Sequence, residues 1–230
     1  MALPLAKDGA REMILGTVVL LGLAGVSIWW LWPWIGLALA APPLVVWVWV
    51  IAFFRDPDRP VPQEPGLFVS PADGTVTDIT PLGPDSELGR EGVSVGIFLS
   101  VFSVHINRAP CQGEVVETKY RKGEFLDARD REAGRRNESM ALRLNYRHAG
   151  QTYPIIAKQI AGKIARRIIC HAQPGQTLAR GERFGLIKFG SRTELLLPKE
   201  LAGDIRVHVG QKVQGAKTIL AAHSLAEAKP

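Results

Sequence analysis

Cysteine is scarce in this chain, with only Cys111 and Cys170 in 230 residues, far apart. A disulfide framework is thereby excluded, and the two thiols fit small buried residues of a reducing compartment. The five histidines and two cysteines show no metal-ligand spacing, so no metal is expected. Charge is missing altogether from residues 13–31 and 34–54. Each run is about long enough to cross a hydrocarbon core of roughly 30 Å. Together they far exceed the apolar region of a cleavable signal peptide, about 7 to 15 residues. The expectation is a membrane anchor over residues 1–54, a helical hairpin turning near Trp32, Pro33 and Trp34, with Trp29, Trp30, Trp47 and Trp49 at the interfaces. Pro42 and Pro43 would kink or interrupt the second helix, so two full transmembrane spans and a re-entrant hairpin both stay open. Lys7 and Arg11 precede the apolar part and Arg55 and Arg59 follow it, which places both ends, and the remainder of the chain, on the cytoplasmic face of the cell membrane.

Amphipathic helices are equally scarce after residue 54. Short β-branched and aromatic runs at 67–70, 74–79, 93–99, 113–120, 140–146, 152–160, 166–170, 184–188, 193–197 and 205–209 are divided by Gly, Pro and Asp turns. This pattern predicts a mostly β domain over 55–230, a barrel or sandwich with few short helices. A weak repeat, Gly175-Gln176 and Gly210-Gln211, each followed by an apolar strand and a further glycine, resembles the turns of biotinyl and lipoyl carrier barrels, as does Pro71-Ala72-Asp73-Gly74. The exposed lysine tip that a carrier needs is missing, so the likeness is one of fold.

The net charge of +6 lies outside the hairpin and suits an anionic partner. The basic clusters at 129–136 and 163–167 lack the interleaved aromatics that stack bases, which argues against nucleic acid. Two readings remain for them, contact with anionic headgroups and a solvated charged face.

Gly190-Ser191 interrupts an otherwise strand-like run from Leu186 to Leu197, where a bulge or an unusual φ is expected. A serine on such a bend can attack the preceding carbonyl; if the ester then opens by β-elimination, Ser191 becomes dehydroalanine and finally a pyruvoyl group. Three further segments converge with it: Ser70-Pro71-Ala72-Asp73-Gly74-Thr75-Val76, Phe98-Leu99-Ser100-Val101-Phe102-Ser103-Val104-His105-Ile106-Asn107-Arg108-Ala109-Pro110, and the charged exit Phe53-Phe54-Arg55-Asp56-Pro57-Asp58-Arg59. In this order, ending in Gly185-Leu186-Ile187-Lys188-Phe189-Gly190-Ser191-Arg192, they resemble the short-form phosphatidylserine decarboxylase family from the anchor to about Leu197.

The resemblance implies a proenzyme that cleaves itself between Gly190 and Ser191 into a β chain of residues 1–190 and an α chain of residues 191–230, which stay together as a heterodimer. Ser191 would become the pyruvoyl cofactor, and the reaction would turn phosphatidylserine, drawn from the surrounding membrane lipids, into phosphatidylethanolamine and CO2. His105 and Asp73 are the implied catalytic partners, the aspartate orienting the histidine and the histidine drawing the proton from Ser191. Longer members carry a second histidine where this chain has Arg108, so His105 is left as base for cleavage, proton donor after decarboxylation, or both. Asn107 and Arg108 are candidates for the substrate carboxylate or phosphate, and Arg192 for the headgroup. Asn137 and Glu138 resemble a segment of short-form members, and His171 is a weaker candidate for lining the site. Two other classes stay open on the residues alone: a membrane-anchored carrier or adaptor barrel in which Gly190-Ser191 is only a bend, and a serine peptidase using a Ser–Lys pair.

Overall fold

The computed structural model describes residues 5–31, 33–130, 132–163, 167–188 and 190–223. Trp32 of the expected hairpin turn, Arg131 and residues 164–166 of the basic clusters, Phe189 of the cleavage motif and residues 224–230 lie outside these. The chain divides into two compact units, residues 1–58 and 59–230.

In the first unit, α1 (Ala10–Trp30) and α2 (Pro33–Phe53) carry no charge beyond Arg11 and Glu12 in the first turn of α1. By length and composition each is apolar enough to cross a membrane. Their side chains cannot form a core of their own: Trp29, Trp30, Trp34, Val18 and Val45 are all largely exposed, as befits helices that are apolar all round. The helices touch through small groups. Gly36 sits against the backbone at Ser27 and Ile28. Trp47 Nε1 donates to Thr17 Oγ1 at 3.0 Å, and Ala6 N donates to Phe54 O at 2.8 Å where the two ends meet. The expected interruption at Pro42 and Pro43 does not occur, since α2 is continuous across both. Two lost N–H donors are outweighed by an unbroken apolar run that offers its backbone no other partner.

The second unit is mostly β. Its strands are β1 (Leu67–Val69), β2 (Gly74–Leu82), β3 (Gly92–Leu99), β4 (Ile106–Arg108), β5 (Gly113–Arg121), β6 (Ser139–His148), β7 (Gln151–Ile160), β8 (Arg167–Cys170), β9 (Thr177–Leu178), β10 (Arg183–Lys188), β11 (Ser191–Pro198), β12 (Asp204–Ile205), β13 (Lys212–Val213) and β14 (Ile219–Ala222). One short helix, α3 (Ala133–Arg136), lies between β5 and β6. A curled antiparallel sheet runs in the order β13-β2-β3-β11-β7-β6-β5-β9, and two small sheets run β4-β10-β8 and β1-β14-β12. The inward faces of the large sheet supply Val95, Ile97, Leu142, Leu144, Ile155 and Leu195, which join Phe68, Phe184 and Leu220 in one core.

The glycine-glutamine repeat proves to be structural. Gly175 N donates to Val115 O and Val115 N to Gln176 O, at 2.8 and 2.7 Å; Gly210 N donates to Val76 O and Val76 N to Gln211 O, at 2.8 and 2.9 Å. Both glycines have positive φ, 85° and 89°. The two turns cap equivalent ends of β5 and β2.

Two crossings position the remainder. The chain leaves the large sheet at the end of β3, turns through residues 100–105 and enters the small sheet as β4. It returns from β10 to enter β11 at Ser191, directly after Gly190. Because β3 pairs with β11 and β4 with β10, these two crossings run side by side.

Candidate active site

Ser191 is the first residue of β11, paired with Leu99 of β3. Its side chain is fully buried, and its Oγ has no hydrogen-bond partner among the described residues. Such an orphan hydroxyl costs free energy, of order 1–3 kcal/mol, and calls for an explanation. Gly190, just before it, has φ 61°, a conformation that any Cβ would strain, and this meets the sequence expectation of an unusual φ. The Gly190 carbonyl oxygen occupies the space a side chain on Gly162 would need, while Val101 approaches Gly190 from the parallel crossing. The Gly190–Ser191 bond is therefore held where the backbone changes sheets.

His105 ends that neighbouring crossing. It is fully buried, its carbonyl accepts from Ile187 N of β10 at 3.2 Å, and its Nδ1 lies 2.9 Å from Ser103 O. A carbonyl can only accept, so Nδ1 carries the proton and Nε2 is the basic nitrogen.

Below Ser191 the two sheets are joined by a polar layer. Thr193 projects from the same face of β11 as Ser191, and Gln159 of β7 stands opposite it. Asn107 Nδ2 donates to Thr193 Oγ1 at 3.0 Å, and Gln159 Nε2 donates to Asn107 Oδ1 at 2.9 Å and to Ile169 O at 3.1 Å. Asn107 thus has both ends of its amide engaged inside the protein. Neither Gln159 nor Gly162 was singled out from sequence; the only signals were a glutamine inside an apolar strand and a glycine just past its end.

Asp73 and His105, expected as a pair, are engaged elsewhere. Asp73 forms a two-pronged ion pair with Arg59, Arg59 Nη2 donating to its Oδ2 at 2.8 Å, and accepts from Gly215 N at 2.8 Å. Arg59 Nη1 also donates to Gly215 O at 2.9 Å. The aspartate thereby ties the start of β2 to Arg59 and to the turn after β13. Arg108 is buried, its Nη1 donating to Gly181 O at 3.2 Å and its backbone N to Pro71 O at 2.9 Å.

Arg192 lies on the opposite face of β11 from Ser191. It is 2 % exposed and donates to Asp78, Glu194 and Thr77 Oγ1, each at 2.8 Å, in space left by Gly96. Burial works to lower its pKa, but the charges and hydrogen bonds of Glu194 and Asp78 outweigh burial and raise it. The headgroup role expected for Arg192 thus competes with two internal carboxylates.

Asn137 is fully buried and fully bonded, to Leu126 N and O and to Ala161 O at 2.8–3.0 Å, so it pins the 124–137 loop beside Gly162. Glu138 takes part through its backbone, accepting from Ala161 N at 2.9 Å. His171 is exposed. In the first basic cluster Arg129 and Arg136 pair with Asp127 and Glu124. No group of three or more His, Cys, Asp or Glu that would hold a metal occurs among the described residues.

A family model described as phosphatidylserine decarboxylase matches residues 47–221. The chain is 43 % identical over 220 residues to the phosphatidylserine decarboxylase proenzyme of Rhodopirellula baltica, covering 96 % of this chain and 88 % of that one. It is 42 % identical over 218 residues to the protein so named from Aromatoleum aromaticum, covering 94 % of each. With the Geobacter sulfurreducens protein of the same name, identity is 41 % over 219 residues, covering 94 % of this chain and 95 % of the relative.

Proposed function

Because the chain belongs to the phosphatidylserine decarboxylase family, we propose that it converts phosphatidylserine to phosphatidylethanolamine and CO2 with a pyruvoyl group made from its own Ser191. One observation carries the pyruvoyl reading: a buried serine hydroxyl with no hydrogen-bond partner among the described residues, directly after a glycine at φ 61°. An exposed turn serine would find water, and a structural serine would find a carbonyl. The residues fit the group, since modification at 191 removes the orphan hydroxyl.

In this reading Ser191 Oγ attacks the Gly190 carbonyl carbon as its proton passes to His105 Nε2. The peptide C–N bond breaks, leaving residues 190 and 191 joined by an ester. Loss of the Ser191 Cα proton with cleavage of the Cβ–Oγ bond frees the Gly190 carboxylate and leaves dehydroalanine at 191. Water then replaces the nitrogen, which departs as ammonia. Once formed, the pyruvoyl group supplies the carbonyl that takes up the electron pair released by departing CO2.

His105, relieved of its first task, is proposed to return a proton to the decarboxylated carbon. Arg108 is proposed to hold the substrate carboxylate or phosphate. Asp73 serves through the Arg59–Gly215 corner, and Asn107 and Arg192 by holding β11 in place. The α chain would remain bound because β11 lies between β3 and β7 in the large sheet. With Lys7, Arg11, Arg55 and Arg59 at the ends of the anchor, the positive-inside rule favours the cytoplasmic face for the enzyme, where a diacyl lipid would meet it without leaving the bilayer.

Intact mass spectrometry of the detergent-solubilised protein tests this. Two fragments divided at Gly190 and Ser191, the smaller with a pyruvoyl N-terminus, are expected, and a single uncleaved chain from Ser191→Ala. A wild-type chain of full mass that resists hydroxylamine would overturn the reading and return the barrel to the carrier class.

A further inference from the structure

The orphan at Ser191 has a complement. Gln159 is fully buried and its Nε2 has two acceptors, yet its Oε1 has no hydrogen-bond partner among the described residues. A donor without an acceptor and an acceptor without a donor thus lie in the same interlayer. Gln159 faces Thr193 across the strands, and Thr193 is two residues, about 7 Å, along the same face from Ser191. One water with ordinary hydrogen bonds on each side spans up to about 5.6 Å between two such oxygens.

Forming the pyruvoyl group consumes such a water. Dehydroalanine at 191 tautomerises to an imine; water oxygen bonds to Cα while a proton passes to nitrogen; the carbinolamine then expels ammonia and leaves the ketone. No oxidant or reductant is needed. Residue 191 is fully buried, so the water must be held in place and not simply met from bulk. We propose that Gln159, through Oε1, binds and orients the water that hydrolyses residue 191 to the pyruvoyl group, making it a positioning residue for cofactor formation and not for chain cleavage. Asn107 and the Ile169 carbonyl, by engaging Nε2, fix which end of the amide faces the water. This inference rests on the pyruvoyl reading.

The test compares wild type, Gln159→Met and Gln159→Glu as full-length protein in detergent, following the mass of the smaller fragment with time. Methionine keeps the volume and loses the acceptor, while glutamate keeps Oε1 and loses both Nε2 donors. Gln159→Met is expected to cleave but to accumulate a fragment lighter by the difference between NH and O, the ketone forming about tenfold more slowly, the factor set by one hydrogen bond of ordinary strength. Gln159→Glu, which retains the acceptor but loses the two bonds that orient it, is expected to form ketone more slowly than wild type and clearly faster than Gln159→Met. If Gln159→Met reaches the ketone mass as fast as wild type, if Gln159→Glu is impaired as badly as Gln159→Met, or if either stays uncleaved, the proposal is overturned. Failure of the pyruvoyl reading is separable, because it would show in the wild-type fragment itself.

Discussion

The carbonyl oxygen of Gly190 lies where a Cβ on Gly162 would have to be. One bare glycine past the end of β7 thus sets the orientation of the peptide that precedes Ser191. Gly162→Ala must displace that carbonyl, and a shift costing about 1.4 kcal/mol at the transition state slows a reaction roughly tenfold. Self-cleavage of freshly synthesised Gly162→Ala, read as the ratio of fragments to full chain over time, should slow by at least that factor. Gly190→Ala, which strains φ 61°, should do the same.

Asn107 joins β4 to β11 and β7 through two buried hydrogen bonds. Asn107→Leu strands Thr193 Oγ1 and removes one of the two acceptors of Gln159 Nε2, at a cost of about 1–3 kcal/mol. We expect a lower urea midpoint and slower cleavage. The fraction that does process should keep an unaltered KM for phosphatidylserine, because the amide faces the interlayer.

Arg192 neutralises Asp78 and Glu194 on the far side of β11. Arg192→Met leaves two part-buried carboxylates uncompensated side by side, which costs about 2–3 kcal/mol. Thermal unfolding should register most of the loss, and KM measured on processed enzyme should move little. A large rise in KM with unchanged stability would instead restore Arg192 to the headgroup.

Burial pushes the Cys111 thiol up to about 12, with the positive charge of Arg180 opposing, against an ordinary value of 9.0. The folded state therefore favours the protonated thiol. Its contribution to stability is complete below pH 9 and is lost as pH rises toward 12. Wild-type stability should fall more steeply than that of Cys111→Ala across this window, and iodoacetamide at pH 8 should leave Cys111 unmodified in the folded protein.

All ten strands expected from the pattern of branched and aromatic residues are present, although the run at 205–209 is reduced to Asp204–Ile205. Period-two hydrophobicity bounded by glycine and proline is a local property and can be read locally. The strands that escaped were those without such a pattern. β4 is short and carries Asn107 and Arg108, β9 and β13 are two residues each, and the alanines of β14 give little β signal. Pro42 and Pro43 misled for the converse reason, a local breaker overridden by an apolar helical context.

By itself the sequence determined the two-part organisation, the class of fold and the need for an unusual φ at Gly190, because hydrophobic runs, turn residues and glycine act through their own backbones. Only the tertiary structure decided which polar groups answer one another. Asp73 went to Arg59 and Gly215, Arg192 to the carboxylates behind the sheet, and Gln159 to the layer beneath Ser191. These partners are separated by up to 142 residues, and nothing in a strand's alternation tells which distant strand will lie beside it. A buried polar group must nevertheless find a partner, and which one it finds is set by the pairing of whole sheets.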